Sequence, residues 1–122
     1  MTQKFTITRR KVGHVVILEL AGRLIFDEDG DLLLREDVAS VVGEGERNIL
    51  LDLNGVHQMD SGGVGVLVAV YLHAIKRGGR LKLLRPSERV YRVLRTTHLE
   101  SAFEIFENET DAVGTFDFGV RS

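Results

Sequence analysis

The first part of the chain carries two patterns that are typical of β-strands. Residues 4–10 alternate between apolar and polar side chains, as a strand with one buried face does. Residues 15–20 are an apolar run rich in β-branched side chains, with Gly13 before it and Gly22 after it. Two such segments on either side of a glycine-containing turn predict a β-hairpin.

An acidic segment and a helical pattern follow the hairpin. Residues 27–31 read Asp-Glu-Asp-Gly-Asp, and this polar, glycine-containing stretch predicts a loop. Beyond the loop, apolar side chains recur at helical spacing at Leu32, Leu33, Val38, Ala39 and Val42. The spacing predicts a first helix that begins near Leu32 and ends at Gly43.

The middle of the chain predicts a buried strand and a second helix. Residues 49–53 are a nearly continuous apolar run closed by an Asn-Gly pair at 54–55, the pattern of a strand that is buried on both faces. Over 61–77 the apolar side chains keep a period of about 3.6 residues. The glycine pair at 78–79 then offers the left-handed backbone conformation that often ends a helix.

The remaining residues predict four more elements. They are a strand over 80–84, a helix from Pro86 and Ser87 to about Thr97, a strand over 103–106, and a helix capped by Asn108 or Thr110. Alternating strands and helices predict parallel crossovers, whereas the leading hairpin adds an antiparallel pair. We therefore expect an α/β fold with a mixed β-sheet, made of an N-terminal hairpin plus βαβ units and packed with about four helices.

Composition and charge narrow the classes of protein. The 122 residues and single proline suit one domain over 1–122, with a core at about 4–116 and a short C-terminal tail at 117–122. The absence of cysteine excludes disulfides, Cys-ligated zinc and thiol catalysis. A net charge of −2 argues against a nucleic-acid partner. No apolar stretch approaches the roughly 20 residues of a membrane span, so we expect a cytoplasmic protein without one.

The start of the second helix is rich in glycine, which is unfavourable in helices. Gly62, Gly63 and Gly65 lie in or near its first turn, where each glycine costs on the order of 1 kcal/mol relative to alanine. Such departures from local rules often mark functional sites. Because glycine has no side chain, these positions would let another protein or a nucleotide approach the backbone closely.

Asp60 and Ser61 stand where that helix begins. Either side chain can cap the helix by accepting a hydrogen bond from a free backbone N–H group of the first turn. A helix N-terminus also carries a partial positive charge. A phosphate attached to Ser61 would therefore be stabilised there, and the fold would survive the modification.

The same residues resemble the signature of a known family. The sequence Met-Asp-Ser-Gly-Gly-Val-Gly at 59–65, after the strand at 49–53, resembles the STAS domain, in particular the bacterial anti-sigma-factor antagonists. The resemblance covers most of the chain, roughly 5–116. It also includes, in order, the segments 80–84, 94–99 and 103–106.

This resemblance implies a function and a set of site residues. In that family the serine that matches Ser61 is phosphorylated by a partner that is both anti-sigma factor and serine kinase. The unphosphorylated form binds this partner and frees the sigma factor, and a serine phosphatase resets the switch. The implied partner-binding residues are Asp60, Ser61, Gly62, Gly63, Val64 and Gly65.

Two positions depart from the family pattern. Gly62 stands where the family often has Ser, Thr or Ala, and His98 stands where it often has Gly. We expect His98 just past the end of the third helix, in a left-handed backbone conformation that histidine tolerates less well than glycine. The acidic segment 27–31 is also longer than in the simplest family members, and its role is open.

Other chemistries lack essential residues. No lysine follows Gly65, so a phosphate-binding P-loop is incomplete, and Val68 replaces the third glycine of a dinucleotide fingerprint. Met59 stands where the nucleophile elbow of a serine hydrolase needs glycine. The stretch that begins at 27–31 lacks the glycine and the final glutamate of a calcium loop, and no histidine pair has metal-ligand spacing. We therefore expect no catalytic residue, no metal site and no cofactor.

Other classes of function stay open beside the switch. One is a constitutive structural STAS domain, such as a scaffold in a sensory assembly or an accessory subunit of a transporter. Another is a STAS domain that binds a small ligand or nucleotide. Arg89, Arg92 and Arg95 lie on one side of the third helix, either as a solvated face or as part of a partner surface. Weak homo-oligomerisation is also open.

Overall fold

The fold is built on one mixed β-sheet. A computed structural model describes residues 5–26 and 28–120. Its strands are β1 (Thr6–Val12), β2 (Val15–Leu24), β3 (Asn48–Met59), β4 (Arg80–Leu84) and β5 (Ile105–Phe106). Its helices, within those residues, are α1 (Asp29–Gly43), α2 (Ser61–Lys76), α3 (Glu88–Thr96) and α4 (Glu109–Val120), and a 3-10 helix (Glu100–Ala102) precedes β5.

The strand pairing matches the topology that the sequence predicts. The order across the sheet is β1-β2-β3-β4-β5. β1 is antiparallel to β2, whereas every later pair of neighbours is parallel. The predicted hairpin, the mixed sheet and the α/β class are therefore confirmed.

The larger core lies between one face of the sheet and helices α1, α2 and α3. Side chains of β2 and of the first half of β3 are buried on both faces of the sheet. That double burial explains why residues 15–20 and 49–53 are nearly continuous apolar runs. Fully buried members of this core include Leu18, Leu51 and Leu67.

The opposite face of the sheet is covered by α4 and contains charged groups. Its apolar part packs Ala112 and Phe116 of α4 against Val15, Ile17, Leu50 and Leu84. Lys82, only 3% exposed, donates to the Thr115 hydroxyl at 2.8 Å, and its Nζ lies 4.6 Å from the centre of the Phe116 ring. Arg10 of β1 pairs with Glu109 at the start of α4, and its guanidinium holds the pKa of Glu109 below the ordinary value. These polar contacts help to fix α4 to the sheet.

The prediction of an acidic loop over 27–31 is wrong for Asp29 and Asp31. Both residues lie in the first turn of α1, which begins at Asp29 instead of near Leu32. Acidic side chains are favourable there because a helix N-terminus carries a partial positive charge. Gly30, in the same turn, is buried close to Phe5. Asp27 lies outside the described residues.

β3 is longer than predicted. Asn54 and Gly55 do not end it, because the second half of β3 pairs in parallel with the second half of β2 and the strand continues to Met59. The register between the two strands shifts near Gly55, where a Cβ atom would lie 2.6 Å from the carbonyl oxygen of Leu20. The Asn-Gly pair therefore marks a close approach of two strands instead of a turn.

The elements after β4 follow the predicted order with shifted boundaries. Ser87 caps α3, and Asn108 caps α4, because each side-chain oxygen accepts a backbone N–H of the first turn. β5 is limited to Ile105–Phe106, since only these two residues pair with β4. His98 follows α3 with a φ of 60°, which confirms the predicted left-handed conformation.

The two ends of the chain extend past the described residues. α4 continues to Val120, beyond the predicted core limit at 116. Lys4, at the start of the predicted first strand, and residues 121–122, in the predicted tail, lie outside the described residues. The extent of a single domain over 1–122 therefore stays a prediction.

Candidate functional site

The candidate site lies at the carboxyl end of β3, where the chain turns into α2. β3 ends at Met59, Asp60 links the two elements, and Ser61 is the first residue of α2. The side chain of Ser61 is exposed. In α/β folds the carboxyl ends of parallel strands are the usual position of binding sites, so the location agrees with the one that the sequence predicts.

Asp60 is the residue that caps α2. Its Oδ1 accepts a hydrogen bond from the backbone N–H of Gly63 at 3.0 Å. The same carboxylate accepts from the backbone N–H of Phe26, at 3.1 Å to Oδ1 and 3.2 Å to Oδ2. Of the two caps that the sequence left open, the structure thus selects Asp60. Ser61 is left in the first turn with its hydroxyl outside the capping arrangement.

Two of the three glycines at this helix start are required by internal packing. A Cβ atom on Gly63 would lie 2.0 Å from the carbonyl oxygen of Leu24, at the end of β2. A Cβ atom on Gly62 would lie 2.6 Å from the Cβ of Phe26. The close approach that the sequence predicts at these positions is therefore made by the chain's own β2–α1 connection.

Gly65 differs from the other two glycines. It is exposed, and a Cβ atom on it would meet nothing within 4 Å. Val64, between them, is 2% exposed and belongs to the core. Among the predicted partner-binding residues, Asp60, Ser61 and Gly65 are therefore exposed, Gly62 is half-buried, and Gly63 and Val64 are buried.

Phe26 is a residue of this site that the sequence does not indicate. Phe26 follows β2, and its side chain is 72% exposed. Its contact with Asp60 joins residues 34 positions apart in the chain, so no local motif could have indicated it. The one available signal was an isolated aromatic residue beside an acidic, polar stretch.

The basic face of α3 has the arrangement that its periodicity predicts. Arg89, Arg92 and Arg95 are exposed, whereas Val90 and Leu94 on the other side of the helix are buried. The two roles that the sequence predicts for them, a solvated face and part of a partner surface, both stay predictions.

Two further kinds of feature are absent from the described residues. Among residues 5–26 and 28–120, no group of three or more His, Cys, Asp or Glu side chains could hold a metal ion. In the same part of the chain, no helix is both long and apolar enough to cross a membrane.

Comparisons with known proteins find similarity over most of the chain. A model of the STAS domain matches residues 6–112. The anti-sigma-B factor antagonist of Bacillus subtilis is 36% identical over 73 residues, which are 60% of this chain and 66% of that protein.

Solved structures have the same architecture. A crystal structure of TM1081 from Thermotoga maritima, provisionally assigned as an anti-sigma factor antagonist, has a TM-score of 0.80 and 28% identity, over 89% of this chain and 92% of that one. The phosphorylated form of SpoIIAA, a Bacillus cell fate determinant, has a TM-score of 0.69 and 21% identity, over 91% of this chain and 99% of that one. The second similarity bears on the fold alone.

Proposed function

Because the chain belongs to the STAS domain family, we propose that it is an anti-sigma-factor antagonist whose partner binding is controlled by phosphorylation of Ser61. The observation that carries the proposal is the division of roles at the start of α2. Asp60 caps the helix, and the exposed Ser61 beside it is therefore available to a kinase. The protein itself is a binding switch without catalytic activity.

The helix start can accept a phosphate without loss of the fold. A phosphate on Ser61 adds a charge of about −1.5 to −2 at neutral pH, and the partial positive charge of a helix N-terminus favours an anion there. Ser61 is exposed and takes no part in the core. The modification therefore changes the surface and leaves the packing beneath it unchanged.

The effect of the phosphate falls on the partner. In the unphosphorylated form the partner, an anti-sigma factor that is also a serine kinase, packs against Asp60, Ser61 and Gly65. A phosphate in this interface adds bulk and a desolvation cost, and any acidic group on the partner adds repulsion. Phosphorylation thus releases the partner, and a serine phosphatase restores binding. The proposed setting of the whole cycle is the cytoplasm.

The relatives support this assignment. The Bacillus subtilis protein of 36% identity is named for antagonism of an anti-sigma-B factor. Phosphorylation of a protein with this fold has a precedent in the phosphorylated SpoIIAA structure. Co-purification from cells would identify the anti-sigma factor that this chain binds. That partner can then be expressed and purified.

A titration with the pure anti-sigma factor tests the proposal. We expect Ser61→Ala to bind as the unphosphorylated wild type does, and Ser61→Asp to bind at least about tenfold more weakly. Ser101→Asp is the matched control, because Ser101 is exposed in the 3-10 helix and its change should leave affinity unaltered. If Ser61→Asp binds as well as wild type, the proposed switch is wrong, and a constitutive scaffold becomes the better account of the function.

A further inference from the structure

Phe26 is the most exposed of the large hydrophobic side chains in the described residues. It is 72% exposed, compared with 61% for Leu32 and 47% for Leu72. Burying such a ring in water-free surroundings is favourable, and aromatic residues are enriched among those that dominate protein interfaces. Single exposed apolar side chains are ordinary on protein surfaces, so what matters for Phe26 is its position beside Ser61.

The backbone of Phe26 is held firmly although its ring is exposed. Its N–H group donates to the carboxylate of Asp60, and its Cα and Cβ atoms lie against the backbone of Gly62. A Cβ atom on Gly62 would come within 3.0 Å of the Phe26 Cα, so any larger residue there would displace Phe26. The ring is thus presented from a fixed base beside Ser61.

The position of the Phe26 backbone determines which partner surface can cover the ring. Phe26 contacts Asp60 and Gly62, the two chain neighbours of Ser61. A stable protein interface buries about 800 Å² on each partner, which is far larger than the area between adjoining residues. We therefore expect a protein that packs closely on Ser61 to cover Phe26 as well.

We propose that Phe26 is the apolar anchor of the interface, inserted in a hydrophobic pocket of the anti-sigma factor that recognises Ser61. The inference rests on the proposed function and adds to it the chemistry of the partner's surface. Phe26 supplies affinity, whereas Ser61 supplies control. Asp60 links them, since one carboxylate caps the helix of Ser61 and holds the N–H of Phe26.

Through Asp60, phosphorylation of Ser61 would also affect how Phe26 is held. A phosphate on Ser61 lies next in sequence to the carboxylate of Asp60, and the two anions repel each other. This repulsion weakens the hydrogen bonds from Phe26 to Asp60, so the modified protein presents its anchor less firmly.

Single-tryptophan variants can report burial of this position directly. The chain has no tryptophan, so Phe26→Trp introduces a single one, whose emission can be excited selectively over that of the two tyrosines. Ile75→Trp is the matched control, because Ile75 is 45% exposed near the other end of α2. On addition of the pure anti-sigma factor we expect a blue shift and loss of iodide quenching at position 26 and neither at 75. Binding without a change at position 26 would overturn the proposal.

Affinity measurements separate this inference from the proposed function. We expect Phe26→Ala to weaken binding about 10- to 100-fold, Phe26→Leu to recover most of the loss, and Ile75→Ala to bind as wild type. Equal thermal unfolding of all variants would exclude a folding defect, since Phe26 is exposed. If Ser61→Asp abolishes binding while Phe26→Ala does not weaken it, the anchor is wrong and the switch stands. If Ser61→Asp binds as wild type, the switch itself fails.

Discussion

The N-termini of α2 and α3 use serine in two different ways. At α3, Ser87 is the cap, and its Oγ accepts from the N–H of Val90 at 3.2 Å. Its hydroxyl also donates to the carbonyl of Val56 in β3 at 3.4 Å. At α2 the capping oxygen belongs to Asp60, and Ser61 stands one residue further on, inside the first turn and exposed.

Because the two serines have different roles, a phosphate would disturb the structure at one helix start and not at the other. A phosphate on Ser87 would remove the cap of α3 and the bond to β3, and it would have to enter a half-buried position. A phosphate on Ser61 blocks no capping oxygen, because that oxygen belongs to Asp60. Because Asp60 performs the structural task at α2, the neighbouring serine can be modified at little cost to the fold.

The largest expected effect concerns the tight junction beneath the α2 start. Gly63→Ala would place a Cβ atom 2.0 Å from the carbonyl oxygen of Leu24, so we expect the free energy of unfolding to fall by about 3 kcal/mol or more. Gly65→Ala, in the same helix but in open space, should instead raise it by up to about 1 kcal/mol. Urea unfolding of the two variants measures both values, and equal effects would mean that the junction is not tight.

A smaller effect is expected for the cap of α2. Asp60→Ala removes the acceptor for the N–H groups of both Gly63 and Phe26, so we expect a loss of about 2 kcal/mol in unfolding free energy. Asp60→Asn retains an acceptor and should recover part of it. Chemical denaturation of the pair provides the measurement, and a loss below about 0.5 kcal/mol would contradict the capping role.

The two serines should differ when each is changed to alanine. Ser87→Ala removes a cap and should cost about 1 kcal/mol of stability. Ser61→Ala removes a hydroxyl that does not cap its helix and should cost no more than a few tenths, about 0.3 kcal/mol. Thermal unfolding at one pH compares the variants, and equal costs at both sites would remove the distinction between the helix starts.

The smallest effect concerns the other end of α3. α2 is followed by Gly78 with a φ of 79°, whereas α3 is followed by His98 with a φ of 60°. His98→Gly should relieve backbone strain and raise stability by about 0.5 kcal/mol. Gly78→Ala should have the opposite sign. If His98→Gly destabilises the protein in calorimetry, the imidazole makes a contact that outweighs the strain.

Periodicity predicts the order of elements well because each element buries a regular set of apolar side chains. The boundaries of elements are predicted less well where one residue type is favourable in two kinds of local structure. Asp29 and Asp31 are polar enough for a loop, yet they are equally favourable in the first turn of a helix. Gly55 suits a turn, but its role depends on Leu20 of the neighbouring strand, which lies far away in the sequence.

The candidate site can be predicted only in part, because some of its features are local and others depend on residues far away in the sequence. The position of Ser61 at a helix start follows from local sequence, and so do the two candidate caps. The roles of Gly62 and Gly63 do not, because they are set by contacts with Phe26 and Leu24 on a distant connection. Phe26 joins the site through a hydrogen bond across 34 residues, which sequence alone does not show.

The site of phosphorylation is the most direct test of the difference between the two serines. The wild-type protein would be incubated with ATP and its purified anti-sigma factor kinase, shown to be active by ATP turnover, and then mapped by mass spectrometry. We expect phosphate on Ser61 and none on Ser87, because only the first hydroxyl is exposed and outside a cap. Phosphate on Ser87, on Thr96 or Thr97, or on no residue at all would contradict the account.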